Sequence, residues 1–152
     1  MTPLEKLKSL KLELPTPPKA IAAYIPAKSS DKLIFTSGQL PMKDGKLKFT
    51  GKLGKEVDLE MGKECAKIAC LNGLSAISGV LGGLDRISKI IKIGVYVAST
   101  PEFTDHHLVA NSASELLVNI WGNLGNHARF AIGVPSLPLD APVELEIIAE
   151  IR

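Results

Sequence analysis

Residues 59–99 read LEMGKECAKIACLNGLSAISGVLGGLDRISKIIKIGVYVAS, and their hydrophobic period changes halfway along. In the first part apolar residues recur at Leu59, Met61, Cys65, Ile68, Ala69, Leu71, Ala76, Ile77 and Val80, the spacing of one helix face. Asp58 stands where an N-cap acceptor belongs, and Gly82-Gly83 where the helix must stop. From Lys89 to Ser99 the period shortens to two. Ile91, Ile93, Val95 and Val97 share one face, while Ile90, Lys92, Gly94, Tyr96 and Ala98 share the other. A long amphipathic helix feeding a strand predicts a layered domain of helices on a sheet.

Outward from this unit, a second helix runs from a cap at Thr104 or Asp105 to about Trp121, where Gly122 and Gly125 end it. Upstream, Lys32–Gln39 alternates as a strand, with Leu33 and Phe35 on one face and Ile34 and Thr36 on the other. Asp44-Gly45 then signals a hairpin into Lys46–Phe49. Downstream, Ala128–Val134 and Val143–Ile151 are the last strands, joined by the proline-rich turn PSLPLDAP. Residues 1–14 form a short amphipathic helix or arm, and Pro15, Pro17 and Pro18 force an extended connection after it. The expected order is β-β-α-β-α-β-β: an α+β fold with a mixed sheet and two helices on one face. The other sheet face is part apolar and part polar, which makes self-association its natural cover. No repeat or second domain is visible, so residues 1–152 read as one domain with an N-terminal arm over 1–18.

Hydrophobic residues make up 45% of the 152, enough for a core that needs no disulfide or metal staple. The net charge of +2 predicts no polyanion partner by itself. It is unevenly spread: residues 1–55 hold eleven lysines against four acidic residues, a balance of +7, and the remainder balances at −5. Those lysines alternate with apolar residues and read as a solvated face, so nucleic acid is not the expected partner. Met1–Leu14 lacks the continuous apolar stretch of a secretory leader, and no apolar run looks long enough to cross a membrane. Cys65 and Cys70 lie five apart in a helical pattern and point to different faces, which suits reduced thiols in a cytoplasmic protein.

The chemistry narrows by elimination. Gly51-Lys52-Leu53-Gly54-Lys55 lacks the spacing and hydroxyl of a phosphate loop, and no GxGxxG or nucleophile-elbow serine occurs. His106 and His107 are adjacent and splay about 100° apart on a helix, and His127 stands alone, so surface or capping roles are expected and no metal site. Arg129 differs. Alternation assigns Ala128, Phe130, Ile132 and Val134 to the core face and leaves Arg129 with Ala131 and Gly133. A guanidinium above small side chains can grip a carboxylate bidentately. It could equally be a snorkelling arginine paired with a glutamate of the next strand, and both readings stay open. In the last strand Glu144, Glu146, Ile148 and Glu150 oppose an apolar face. If the turn brings this strand back antiparallel to Ala128–Val134, Glu144 or Glu146 shares the face of Arg129 and could pair with it or orient a water.

Five segments in series carry a family resemblance: FTSGQLP (35–41), LNGLSAISGVLGGLDRI (71–87), VYVASTPEF (95–103), HARFAIGVPSLP (127–138) and PVELEIIAEI (142–151). Together they resemble the Rid family, also called YjgF, translation-initiation-inhibitor-like or L-PSP endoribonuclease-like, from about Tyr24 to the C-terminus. The resemblance implies a chorismate mutase-like fold and a homotrimeric barrel with clefts between subunits. It implies hydrolysis of reactive enamines and imines such as 2-aminoacrylate, with a small carboxylate-bearing substrate and no cofactor. Arg129 matches the arginine that holds the substrate carboxylate, and Glu144 the glutamate that positions water. Tyr24, Ser37, Gly38, Asn111 and Ala131 match pocket positions. Ala131 stands where the best-known branch has a cysteine, so thiol chemistry is not required. Phe130 replaces a usually small residue and, by alternation, is expected in the core. The stretch Phe103–Asn111 is about one helical turn longer than in short members, which, with the arm before Pro15, resembles a longer branch. Two other readings accompany the deaminase: a trimer that binds a small carboxylate without turnover, and an RNA-directed activity.

Overall fold

The computed structural model describes residues 1–20 and 22–152. Helix α1 (Pro3–Ser9) opens the chain. Strands β1 (Ala27–Ser30) and β2 (Leu33–Thr36) follow, then a small hairpin, β3 (Met42–Lys43) and β4 (Lys46–Leu47). After it come α2 (Leu59–Leu81), β5 (Ile87–Ala98), α3 (His106–Trp121), β6 (Ala128–Val134) and β7 (Val143–Ile151). The main sheet is mixed, in the order β1-β2-β7-β5-β6, with β5 and β6 parallel and the other pairs antiparallel. The expected succession therefore gains β3 and also β1, whose sequence AKSS is polar because it is an outer strand with only Ala27 buried. The hairpin expected between Lys32–Gln39 and Lys46–Phe49 is corrected: β4 pairs with β3 in a separate two-stranded sheet, and β2 pairs with β1 and β7.

The local signals act as their chemistry dictates. Asp58 Oδ1 accepts the Met61 amide at 2.9 Å, and Gly82 ends α2 in the left-handed region at φ 80°. Asp44 and Gly45, both at positive φ, make the hairpin turn. The face of the sheet under α2 and α3 carries Ile34, Ile93, Val95, Val97, Leu145, Ile147 and Ala149, all fully buried. Each such Leu or Ile contributes about 1.5–3 kcal/mol. Close approach of α2 depends on Gly73, where a Cβ would lie 2.8 Å from Ile147 Cδ1. Helix α2 is, by length and composition alone, long and apolar enough to cross a bilayer, contrary to expectation. Its buried stripe, from Gly62 to Ile77, packs on the sheet and on α3, which calls for the same composition. Burial holds both thiols, Cys65 and Cys70, up to about 12.

Three expectations about facing are corrected. Register shifts in β5 between Ile87/Lys89 and Ile90/Lys92 are β-bulges, and they flip the alternation. Ile90 is thereby buried and Ile91 only partly so. Strand β7 returns beside β5, not beside β6, so β5 separates the two. Phe130 pairs with Gly94 on the open face and meets Tyr96 edge-on at 5.3 Å, and is not part of the core. The open face is itself apolar in part, with Phe35 and Ile132 well exposed, and so alternation alone does not reveal which side of β6 turns inward.

The N-terminal arm is tied down. Leu7 is 1% exposed, Ser75 Oγ donates to the Pro15 carbonyl, and the missing side chain of Gly79 admits Pro17.

Candidate functional site

Arg129 projects from β6, the outer strand, on the side of Ile93 and therefore toward α3. Its Nη1 donates to Asn111 Oδ1 at 2.9 Å and to Ser114 Oγ at 3.1 Å, which uses both Nη1 hydrogens. Nη2 faces the His107 carbonyl at 3.4 Å. Nε–H and one Nη2 hydrogen have no acceptor among the described residues, and Arg129 is in no ion pair there. The unused edge is the side-on fork that a carboxylate fills bidentately. Ala131 and Gly133 continue the same face of β6 and leave it uncovered by side chains of their own.

His106 closes the far end of this strip. Its Nε2 lies 3.0 Å from Ser99 Oγ, and a Cβ on Gly133 would collide with both. The ring stacks edge-on against Phe103 at 5.3 Å. The surface role expected for His106 is therefore corrected: it is partly buried and polar-bonded. Only His107 is exposed as expected. Asp105 sits at the N-cap position of α3 but accepts no cap hydrogen bond through its side chain.

A second cluster forms elsewhere. Glu144 lies in register with Tyr96 and Ile132 on the open face, opposite to the face of Arg129. The shared face expected for the two is thus corrected, because β7 lies two strands from β6 and the odd-numbered residues of β6 turn toward α3. Gly38 packs against the Glu144 carboxylate so closely that any Cβ would displace it. Ser37 Oγ donates to the Ile25 carbonyl at 2.6 Å and Ser37 N to the Pro26 carbonyl at 2.8 Å, which binds the Tyr24–Pro26 segment to the end of β2. Tyr24 stays 57% exposed. Burial and then the neighbouring Glu146 raise the Glu144 carboxyl above its ordinary 4.5, and no cation pairs with it among the described residues.

The candidate residues thus fall into two half-sites. Arg129, Asn111 and Ala131 form one; Tyr24, Ser37, Gly38 and Glu144 form the other. A hollow of about 420 Å³ beside α1 and another of about 440 Å³ along Ser114 and Val118 have neither Arg129 nor Glu144 in their walls. Within one chain Arg129, Asn111, Ala131, Ser37 and Glu144 are each partly buried, while Tyr24 and Gly38 are exposed. Sequence reading missed Ser114, His106 and Ser99. The spacing of Asn111 and Ser114, three apart on a helix, was the available signal that they share a face.

The family model described as YjgF/chorismate mutase-like, putative endoribonuclease matches residues 5–151. Protein TCP17 of Trypanosoma cruzi is 36% identical over 147 residues, which is 96% of this chain and 92% of that protein. The solved structure of Atu1372 from Agrobacterium tumefaciens, of unknown function, superposes at a TM-score of 0.93 with 40% identity, covering 99% of this chain and 92% of that one. A structure from Shewanella oneidensis, described as a putative endoribonuclease, superposes at 0.95 with 30% identity over 99% of this chain and all of its own.

Proposed function

This chain belongs to the YjgF/chorismate mutase-like family, and on that footing we propose that it hydrolyses small carboxylate-bearing enamines and imines, such as 2-aminoacrylate, to 2-keto acids and ammonia. The observation that carries this reading is the unused Nε/Nη2 edge of Arg129, without an acidic partner and beside small residues. An imine carbon is already electrophilic, so catalysis needs a held substrate and an aimed water more than a strong nucleophile. The enamine first moves a proton from nitrogen to carbon, by way of solvent, to become the imine. Water then adds to the imine carbon, and one of its protons passes through Glu144 to the nitrogen. The hydroxyl proton of the resulting carbinolamine follows the same route as the C–N bond breaks, so that the carbonyl forms and ammonia and the 2-keto acid leave. A carboxyl raised by burial and by Glu146 is a better proton acceptor than an ordinary glutamate.

Arg129 and Glu144 face opposite ways from strands two apart, and one short substrate cannot reach both within a chain. The proposal therefore includes a closed ring of copies, a homotrimer, in which one protomer's arginine half-site meets the next protomer's glutamate half-site. The test generates 2-aminoacrylate in place with a dehydratase and follows keto-acid and ammonia release. Wild type accelerates release; folded Arg129→Ala loses at least roughly a hundredfold, as removal of a bidentate charged contact implies. Equal rates for the two proteins remove Arg129 from the reaction. Pyruvate binding with no turnover of any imine would leave a carboxylate-binding protein in place of an enzyme.

The endoribonuclease wording of the family model and of the Shewanella oneidensis relative supports a second reading, RNA cleavage. The lysine-rich residues 1–55 contain no histidine, since the three histidines are at 106, 107 and 127. RNA cleavage that survives Arg129→Ala and weakens steeply with salt would favour this second reading.

A further inference from the structure

Arg129 does not hold itself in place. Ser114 Oγ, which accepts from Arg129 Nη1 at 3.1 Å, also lies 2.9 Å from His127 Nε2. On the other side of that ring, His127 Nδ1 lies 2.6 Å from the Gly125 carbonyl. The two ends of this series have fixed directions, because a guanidinium only donates and a carbonyl only accepts. His127 Nδ1 must therefore carry a hydrogen. In the Nδ1–H tautomer Nε2 is bare, and Ser114 can give its hydroxyl hydrogen to that nitrogen and keep its lone pairs for Arg129. The backbone anchors the far end firmly: Gly125 is buried against the Leu117 carbonyl, and a Cβ there would not fit.

We propose that His127, acting through Ser114, is a positioning residue that fixes the rotamer of Arg129 and so keeps the Nε/Nη2 edge turned outward for a substrate carboxylate. This rests on the reading that Arg129 holds such a carboxylate. Where a surface or capping role is expected for His127, the ring is partly buried and bonded at both nitrogens, one of them to the Gly125 carbonyl. With the relay intact, Nη1 is saturated by Ser114 and Asn111, and the guanidinium has one edge left to offer. Without it, Nη1 regains a free hydrogen and the long side chain regains rotamers that point elsewhere. The loss falls on binding, before any bond is made or broken.

The experiment uses pyruvate, the product of 2-aminoacrylate hydrolysis, in calorimetric titrations of the full-length protein, beside steady-state kinetics. His127→Phe and Ser114→Ala are each expected to weaken pyruvate binding and raise KM roughly tenfold, the size of one lost hydrogen bond to a charged group, with kcat little changed. The double variant is expected to be no worse than either single one, because both cut the same series. His127→Gln, whose amide can donate to Gly125 and accept from Ser114, restores binding to within a few-fold. Nitrogen-15 spectra report the Nδ1–H tautomer for His127. If Arg129→Ala abolishes pyruvate binding while His127→Phe binds like wild type, the relay is overturned and the anchor stands. His127→Gln as weak as His127→Phe, or a ring protonated at Nε2 alone, also overturns it. Arg129→Ala binding like wild type removes the anchor and the relay together.

Discussion

Mixing two inactive variants, Arg129→Ala and Glu144→Gln, should restore turnover. Arg129 is level with Ile93 and Ile147, whereas Glu144 is level with Tyr96, three residues along β5. Two strand spacings across and three rises along give a Cα separation of roughly 14 Å, before the side chains diverge to opposite faces. A site that uses both residues must then draw them from different copies. In a three-membered ring that holds both variants, a site works only if its arginine comes from a Glu144→Gln protomer and its glutamate from an Arg129→Ala protomer. Whichever variant is present twice, one of the three sites meets both conditions, so about one third of wild-type kcat returns with KM unchanged. The two chains are co-expressed with different tags, purified through both, and assayed for keto-acid release against each parent. Mixed assemblies as inactive as the parents would refute the shared site, as would a monomer by light scattering in the active fraction.

Four further outcomes follow from named contacts. Burial and then Glu146 raise the Glu144 carboxyl above 4.5, so the acid limb of kcat/KM lies above that value and Glu146→Gln moves it down. The same shift has a sign for stability: a raised carboxyl favours the fold below its unfolded value and loses that contribution as pH rises through the folded one, so Glu144→Gln raises Tm at neutral pH and not below pH 4.5. Gly38→Ala pushes the Glu144 carboxylate aside and is expected to cost roughly a hundredfold in kcat/KM, with Tm changed by only a few degrees. Gly73→Ala presses on Ile147 Cδ1 and costs about 1–3 kcal/mol in denaturant titration, leaving pyruvate affinity intact.

Much of the fold is written in the periodicity. Helix α2 runs over the stretch between Asp58 and Gly82, the two residues that begin and end it. The turn at Asp44-Gly45 and the strands β6 and β7 lie where turn chemistry and alternation put them, although the hairpin joins β3 to β4 and does not include Lys32–Gln39. What alternation could not convey is which face turns inward when both are apolar. Phe130 and Ile132 look like core, yet Ala131 and Arg129 are the ones that face α3, and the open side of the sheet is itself partly apolar. Bulges in β5 break the two-residue rhythm without any glycine or proline to announce them, so Ile90 and Ile91 exchange places. Adjacency was equally hidden: β6 and β7 are consecutive in the chain, but β5 lies between them. Arg129 and Glu144 could be singled out one at a time, whereas their separation is a property of strand order alone. The partners of Arg129 on α3 were half visible, as polar residues three apart on a helix that otherwise buries alanine and leucine.

Among the described residues, the neutral company of Arg129 leaves its charge without a counter-ion. Any small anion that the buffer supplies then becomes a competitor for the fork. Chloride, phosphate and acetate should each therefore lower apparent substrate affinity in proportion to how well they fill a two-pronged donor, beyond what ionic screening alone would do. The choice of buffer sets the occupancy from which every turnover begins.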